Sequence, residues 1–270
     1  MQASAPARAL APARSLAPAG PVPATTVPAT TVPATTVPAT TVPAMAWDRL
    51  RAMCQADLLT PRSTPPGLCR ACMGPAGPGY ARCFQCELHA QSAPGLLADA
   101  VAPVAYAAKG SPLARDLWLY KAGRPVSGDA GARLLLLLLV FLHDHGSQVC
   151  QQAGMTRPSH VCVVPSGRGR PGPHPLRALA APYLALPWVG MRPRPGADPW
   201  ARSLDPGRFR AGQPLTGAGV LLLDDTWASG ASAQSAAVAL KQAGARSVAV
   251  VVIGRHVAAG HRAGRPAVGQ

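Results

Sequence analysis

Residues 217–255 read GAGVLLLDDTWASGASAQSAAVALKQAGARSVAVVVIGR, and this stretch decides the fold. Val220 to Leu223 is wholly apolar, the pattern of a central parallel strand covered on both faces. Two acids follow, Asp224 and Asp225, and then a loop of small and hydroxyl residues: Ala228, Ser229, Gly230, Ala231 and Ser232. From about Ser232 to Ala243, the residues Ala236, Ala239, Leu240 and Ala243 recur on one stripe, which predicts a helix with Gly244 as its stop. Ser247 to Ile253 is a second apolar run and a second strand. Strand, helix and strand in that order form a βαβ unit, and such units build parallel sheets.

The loop between the first strand and the helix carries chemistry. Small residues let backbone N–H groups approach an anion, the helix N-terminus adds partial positive charge, and Ser229 and Ser232 add hydroxyls. Adjacent carboxylates at the strand end suit a vicinal diol. A phosphate beside a diol points to a ribose 5-phosphate. The plainer reading is an acidic turn whose serine caps a helix. A second loop, VVPSGRGRPG, follows the apolar stretch Val161 to Val164 and delivers Ser166, Gly167 and Arg168 to the same strand edge. An arginine flanked by glycines can grip a phosphate bidentately. The string Gly167-Arg-Gly169-Arg-Pro-Gly172 is not a dinucleotide fingerprint, because Pro171, Pro173 and Pro175 delay the helix such a fingerprint needs. No Gly-Lys pair occurs, which excludes a P-loop.

Working toward the N-terminus, LCRACMGPAGPGYARCFQC holds Cys69, Cys72, Cys83 and Cys86 as two CxxC knuckles. Two knuckles can present four thiolates to one tetrahedral zinc, a closed and therefore structural site. Two disulfides or a redox pair are the alternatives. Disulfides require an oxidising compartment, and no secretory leader pattern is visible. His89 could stand in for one cysteine, with a solvated loop histidine as the plainer reading. Cys54, Cys150 and Cys162 read as small buried residues.

The rest bounds the molecule. The 270 residues carry a formal charge of +15, compatible with phosphate or nucleic-acid partners, but aromatic residues make up only 4%, so stacking platforms are few. Residues 1–44 contain four TTVPA repeats and no acid; proline every fifth residue forbids a helix there and predicts a disordered tail. Leu134 to Leu142 is an uninterrupted apolar run, well short of the roughly 20 residues a bilayer needs, so membrane insertion is not expected. It reads as a buried helix ending at Gly146, with His143, Asp144 and His145 in its last turn.

VLLLDDTWASGAS resembles the phosphoribosyl pyrophosphate (PRPP) motif of type I phosphoribosyltransferases, and the four-cysteine knuckle upstream makes the chain similar to ComF-type proteins. Tyr106, Arg115 to Lys121, VVPSGRGR and Arg208-Phe-Arg210 add to the resemblance, which spans about residues 45–257. It implies an α/β fold with a parallel sheet flanked by helices. The implied organisation is a disordered tail at 1–44, a zinc module at 45–98, a phosphoribosyltransferase domain at 99–258 and a flexible C-terminus at 259–270. It further implies PRPP bound with Mg²⁺: Asp224 and Asp225 on the ribose hydroxyls, Ala228 to Ser232 on the 5′-phosphate, and Ser166, Gly167 and Arg168 on the pyrophosphate. An unidentified base or amine acceptor would sit over the segment from Gly190 to Gln213, which resembles a mobile loop in its Pro, Gly and Arg content. Partners implied for the family are the competence machinery or single-stranded DNA, in the cytoplasm. Two departures stand out: Ala228-Ser229 replaces the usual Thr-Thr, and RGRPGPHPLRALA replaces a typical Arg-Gly-Phe-Asn-Gln stretch.

Overall fold

The computed structural model describes residues 44–54, 58–60, 65–122, 127–166, 174–198 and 201–259, all within a compact unit spanning Ala34–Gln270. Residues 1–43 of the tail, residues 260–270, and Gly167 and Arg168 of the second loop lie outside the described residues.

In chain order the elements are α1 (Ala44–Cys54), α2 (Phe84–Ser92), β1 (Ala100–Ala108), α3 (Pro112–Ala122), α4 (Ser127–Gln152), β2 (His160–Val163), α5 (Pro175–Ala180), β3 (Trp188–Val189), β4 (Met191–Pro193), β5 (Phe209–Ala211), β6 (Gly219–Trp227), α6 (Ala231–Gln242) and β7 (Ser247–Val257). Five strands pair in the order β1-β7-β6-β2-β3, all parallel. The protein is therefore an α/β parallel-sheet fold. β6 lies third of five, which is why Val220 to Leu223 needs no polar alternation.

The two faces of the sheet hold separate cores. Leu221, Leu223, Val251 and Ile253 pack under α1, α3, α4 and α5, together with Leu134, Leu138 and Phe141 of α4. Val220, Leu222, Val250 and Val252 pack under α6, with Phe209 of β5 and with Cys69, Cys72 and Cys86. The four-cysteine module thus lies against the α6 side of the sheet.

Three elements differ from the sequence expectations. α4 does not stop at Gly146 but runs to Gln152. An interior glycine costs about 1 kcal/mol relative to alanine, and burial of Val149 and Cys150 in the next turn outweighs it. His143, Asp144 and His145 are accordingly mid-helix. They form the docking point for α1: the Trp47 ring stacks on His143 at 4.3 Å, and Arg51 donates two hydrogen bonds to Asp144 at 2.8 and 2.7 Å. By length and composition α4 is apolar enough to cross a membrane; here its apolar stripe is spent on β1 and β7. The expected loop at Gly190 to Gln213 contains an antiparallel hairpin, β4 with β5, because Arg192 and Arg210 pair in register. Finally, β6 and β7 extend past their apolar runs, to Trp227 and Val257. The nine-residue β1 templates this, pairing with β7 as far as Ala108 and Val257.

Candidate functional site

From β2 the chain moves outward to β3, while from β6 it moves the opposite way to β7. The reversal leaves a crevice outside the carboxyl ends of β2 and β6, where open α/β sheets bind ligands. The two strands reach this edge together, with Val163 opposite Leu223 and the Val164 N–H donating to Leu223 O at 3.0 Å. Ser166 follows β2, and the Ala228 to Ser232 loop follows β6.

The loop is shaped by one glycine. Gly230 has φ 83°, a left-handed conformation, and caps α6. A Cβ at this position would overlap the Trp227 ring, which lies beneath it. The first turn of α6 has N–H groups with no carbonyl of their own helix to bond. One of them, Ala231 N–H, donates to Ser229 Oγ at 3.3 Å. Ser232 Oγ accepts from the Arg208 guanidinium at 3.0 Å, which leaves its own O–H available to donate. Arg208 is almost wholly buried and also donates to the carbonyls of Ala201 and Ser203. The segment from β4 to β5 is thus tied to the start of α6, and the Asp205 N–H donates to Ser235 Oγ at 2.9 Å.

The two acids are not equivalent. Asp225 is buried against α3; its carboxylate accepts from Tyr120 O–H at 2.9 Å and pairs with Lys121 Nζ at 2.6 Å. Burial works to raise its pKa, but the Lys121 charge and hydrogen bond override that and hold it below the usual value. Asp224 Oδ1 turns back to accept the Asp225 N–H at 2.8 Å. Desolvation, and then the neighbouring Asp225 charge, push its pKa up to about 8. Asp225 is the stronger acid and is internally partnered; Asp224 is the weaker acid of the two.

Cys69, Cys72, Cys83 and Cys86 converge, with all four Sγ atoms within 4.8 Å of one another. A tetrahedral zinc with Zn–S bonds near 2.3 Å needs sulfurs about 3.8 Å apart, and Cys72 Sγ lies 3.9 Å from Cys83 Sγ. The residues fit the ion. Hydrogen bonding among the sulfurs draws the Cys69 and Cys83 thiols down and drives Cys72 and Cys86 up. His89 is neither a ligand nor a solvated loop residue: it sits in α2, buried, with both ring nitrogens lacking a partner among the described residues.

No family model matches the chain, and no curated protein does. Among solved structures it is similar to a purine phosphoribosyltransferase from Pyrococcus horikoshii Ot3, at 13% identity over 52% of this chain and 93% of that one, with a TM-score of 0.27. So faint a likeness carries no argument about residues or activity; the strand order and the crevice carry the structural case.

Sequence reasoning missed the partners of the loop rather than the loop. Tyr120, Lys121 and Arg208 lie in stretches that stood out by resemblance, yet no spacing links them to Asp225 or Ser232. Arg255 lies beyond the strand expected at Ser247 to Ile253 and had no role in the sequence reading. It is buried, and its Nη1 donates to the carbonyls of Trp227, Ala228 and His256 at 3.2, 3.0 and 2.7 Å.

Proposed function

We propose that the protein binds PRPP at the crevice between β2 and β6 and acts as a phosphoribosyltransferase. The observation that carries this reading is the convergence at one sheet edge of an α6 N-terminus, two serine hydroxyls and two inequivalent carboxyls. In this reading the amides and hydroxyls from Ala228 to Ser232 hold the 5′-phosphate. Asp224 and Asp225 take the ribose hydroxyls, with Lys121 and Tyr120 fixing Asp225. Ser166, Gly167 and Arg168 receive the pyrophosphate. Mg²⁺ bound with the ligand would offset the diphosphate charge as it leaves. The reaction asks the chain for no strong nucleophile; the chain's part is positioning and electrostatic stabilisation of positive charge developing at the ribose. The segment from β4 to β5 borders the acceptor side, and the acceptor class is a base or amine. A closed four-thiolate zinc site fits a reducing compartment, in line with a cytoplasmic protein.

Calorimetry with PRPP and Mg²⁺, followed by pyrophosphate release on adding bases, tests the reading. Wild type should bind, and Asp225→Asn should bind about ten- to a hundredfold more weakly, the cost of losing a charged hydrogen bond. Equal affinity of the two, or no binding by wild type, would leave the loop as a helix cap.

A second reading has one specific observation behind it. Tyr80 and Phe84 on the cysteine module are 73% and 74% exposed and share a surface groove with Arg70 and Arg82. Exposed rings between arginines suit stacked bases of single-stranded nucleic acid, as a ComF-type binding factor without transferase activity would require. Salt-dependent binding of single-stranded DNA that is lost on Tyr80→Ala with Phe84→Ala, without pyrophosphate release, would favour it.

A further inference from the structure

The four-cysteine cluster and the loop at the crevice are joined by one buried side chain. Tyr106 on β1, Arg255 on β7 and Trp227 on β6 form a cross-strand row, each in register with the next. The row holds the first knuckle at one end: the Tyr106 O–H donates to Met73 O at 2.6 Å. Arg255 spans the gap. Its Nη2 donates to Cys72 Sγ at 3.6 Å, while Nη1 donates to the carbonyls of Trp227 and Ala228, where the loop leaves β6. Gly74 makes the crossing possible, since a Cβ there would overlap the guanidinium. At the far end the Trp227 ring supports Gly230, the cap of α6.

We propose that Arg255 is a positioning residue that couples the metal state of the four-cysteine cluster to the shape, and so to the anion affinity, of the Trp227 to Ser232 loop. The chemistry is direct. Zinc would fix Cys72 Sγ where one arm of the guanidinium reaches it; with the ion stripped, nothing pins the four sulfurs together and that anchor point is free to move. With its anchor lost, the buried cation must re-partner, and the carbonyls of Trp227 and Ala228 are what it holds. The anion-affinity half of the proposal rests on the PRPP reading above; the loop-ordering half does not.

Hydrogen-exchange mass spectrometry on the full chain separates them. Stripping zinc with a chelator should raise exchange in the peptide covering Trp227 to Ser232 while the middle of α4 stays protected. Zinc-loaded Arg255→Lys should bind metal yet show the raised loop exchange already, because an ammonium is a single point and cannot span sulfur and carbonyls. Gly74→Ala, which displaces the guanidinium from the other side, should do the same. If chelation unfolds wild type, seen as exchange throughout α4, the two zinc-loaded variants decide. Unchanged loop exchange in stripped wild type with α4 still protected, or wild-type loop protection in both variants, overturns the coupling. In parallel, stripping should weaken PRPP about five- to a hundredfold, and PRPP should tighten zinc binding at equilibrium by the same factor. Failure of loaded wild type to bind PRPP rejects the functional reading and leaves the exchange result to decide the coupling.

Discussion

At the scale of single residues, the site is built on unequal neighbours. Gly230 holds a left-handed conformation above an aromatic ring. Gly230→Ala should therefore cost about 1 to 3 kcal/mol in backbone strain, before the overlap with Trp227 is added. The check is a thermal melt, in which an unchanged midpoint would mean the loop simply reshapes. Asp224 makes a prediction about pH. Its folded pKa is raised to about 8, against about 4 in an unfolded chain. Between those values the folded state binds the extra proton, so Asp224 removes stability as pH rises from about 4 to 8. Asp225 runs the other way: its lowered pKa adds stability above the unfolded value, lost as pH falls below it. Ligand-free Asp224→Asn should match wild type near pH 4 and melt progressively higher than it toward pH 8. A constant difference across that range would show that the carboxyl ionises normally.

At the scale of elements, α1 is the clearest case of an attachment that composition does not announce. Nothing in its own residues names a partner, yet Trp47 is buried on His143 and Arg51 grips Asp144 in the middle of α4. Trp47→Ala should cost about 3 to 5 kcal/mol, the usual range for emptying a buried aromatic position. At about 2 to 4 °C per kcal/mol for a chain of this size, the midpoint should fall by several degrees. A midpoint within a degree of wild type would show that α1 does not dock in solution. The exposed part of the Arg51–Asp144 pair adds less, because solvent screens it. α4 teaches the related lesson: a glycine and two histidines looked like a helix end, but burial of Val149 and Cys150 in the next turn kept the helix going.

For the whole molecule, the cysteine module is part of one side of the core. Cys69, Cys72 and Cys86 share a buried cluster with Trp227, Val252 and α6. Metal analysis of reduced protein should give about one zinc per chain, and Cys72→Ser should lose it and lower the melting point, since binding energy at such sites is folding energy. Zinc-free, fully stable wild type would remove the metal from the account.

The sequence by itself determined the βαβ unit, the small-residue loop and the paired knuckles, because each is a local pattern. An apolar tetrad, a run of small residues before a helix and two CxxC pairs carry their meaning within a few residues. It also placed Asp224 and Asp225 directly after the apolar run, although β6 carries both inside the strand and ends at Trp227. What it did not contain was which acid is the stronger, since that depends on Tyr120 and Lys121 of α3, which are distant from Asp225 in sequence. The lengths of β6 and β7 were equally hidden, being templated by β1 through backbone hydrogen bonds that ignore side-chain type. Arg255 is the extreme example: a charged residue after an apolar run looks like an ending. Only the tertiary structure, by placing a cysteine knuckle over one end of it and two loop carbonyls under the other, made its burial affordable.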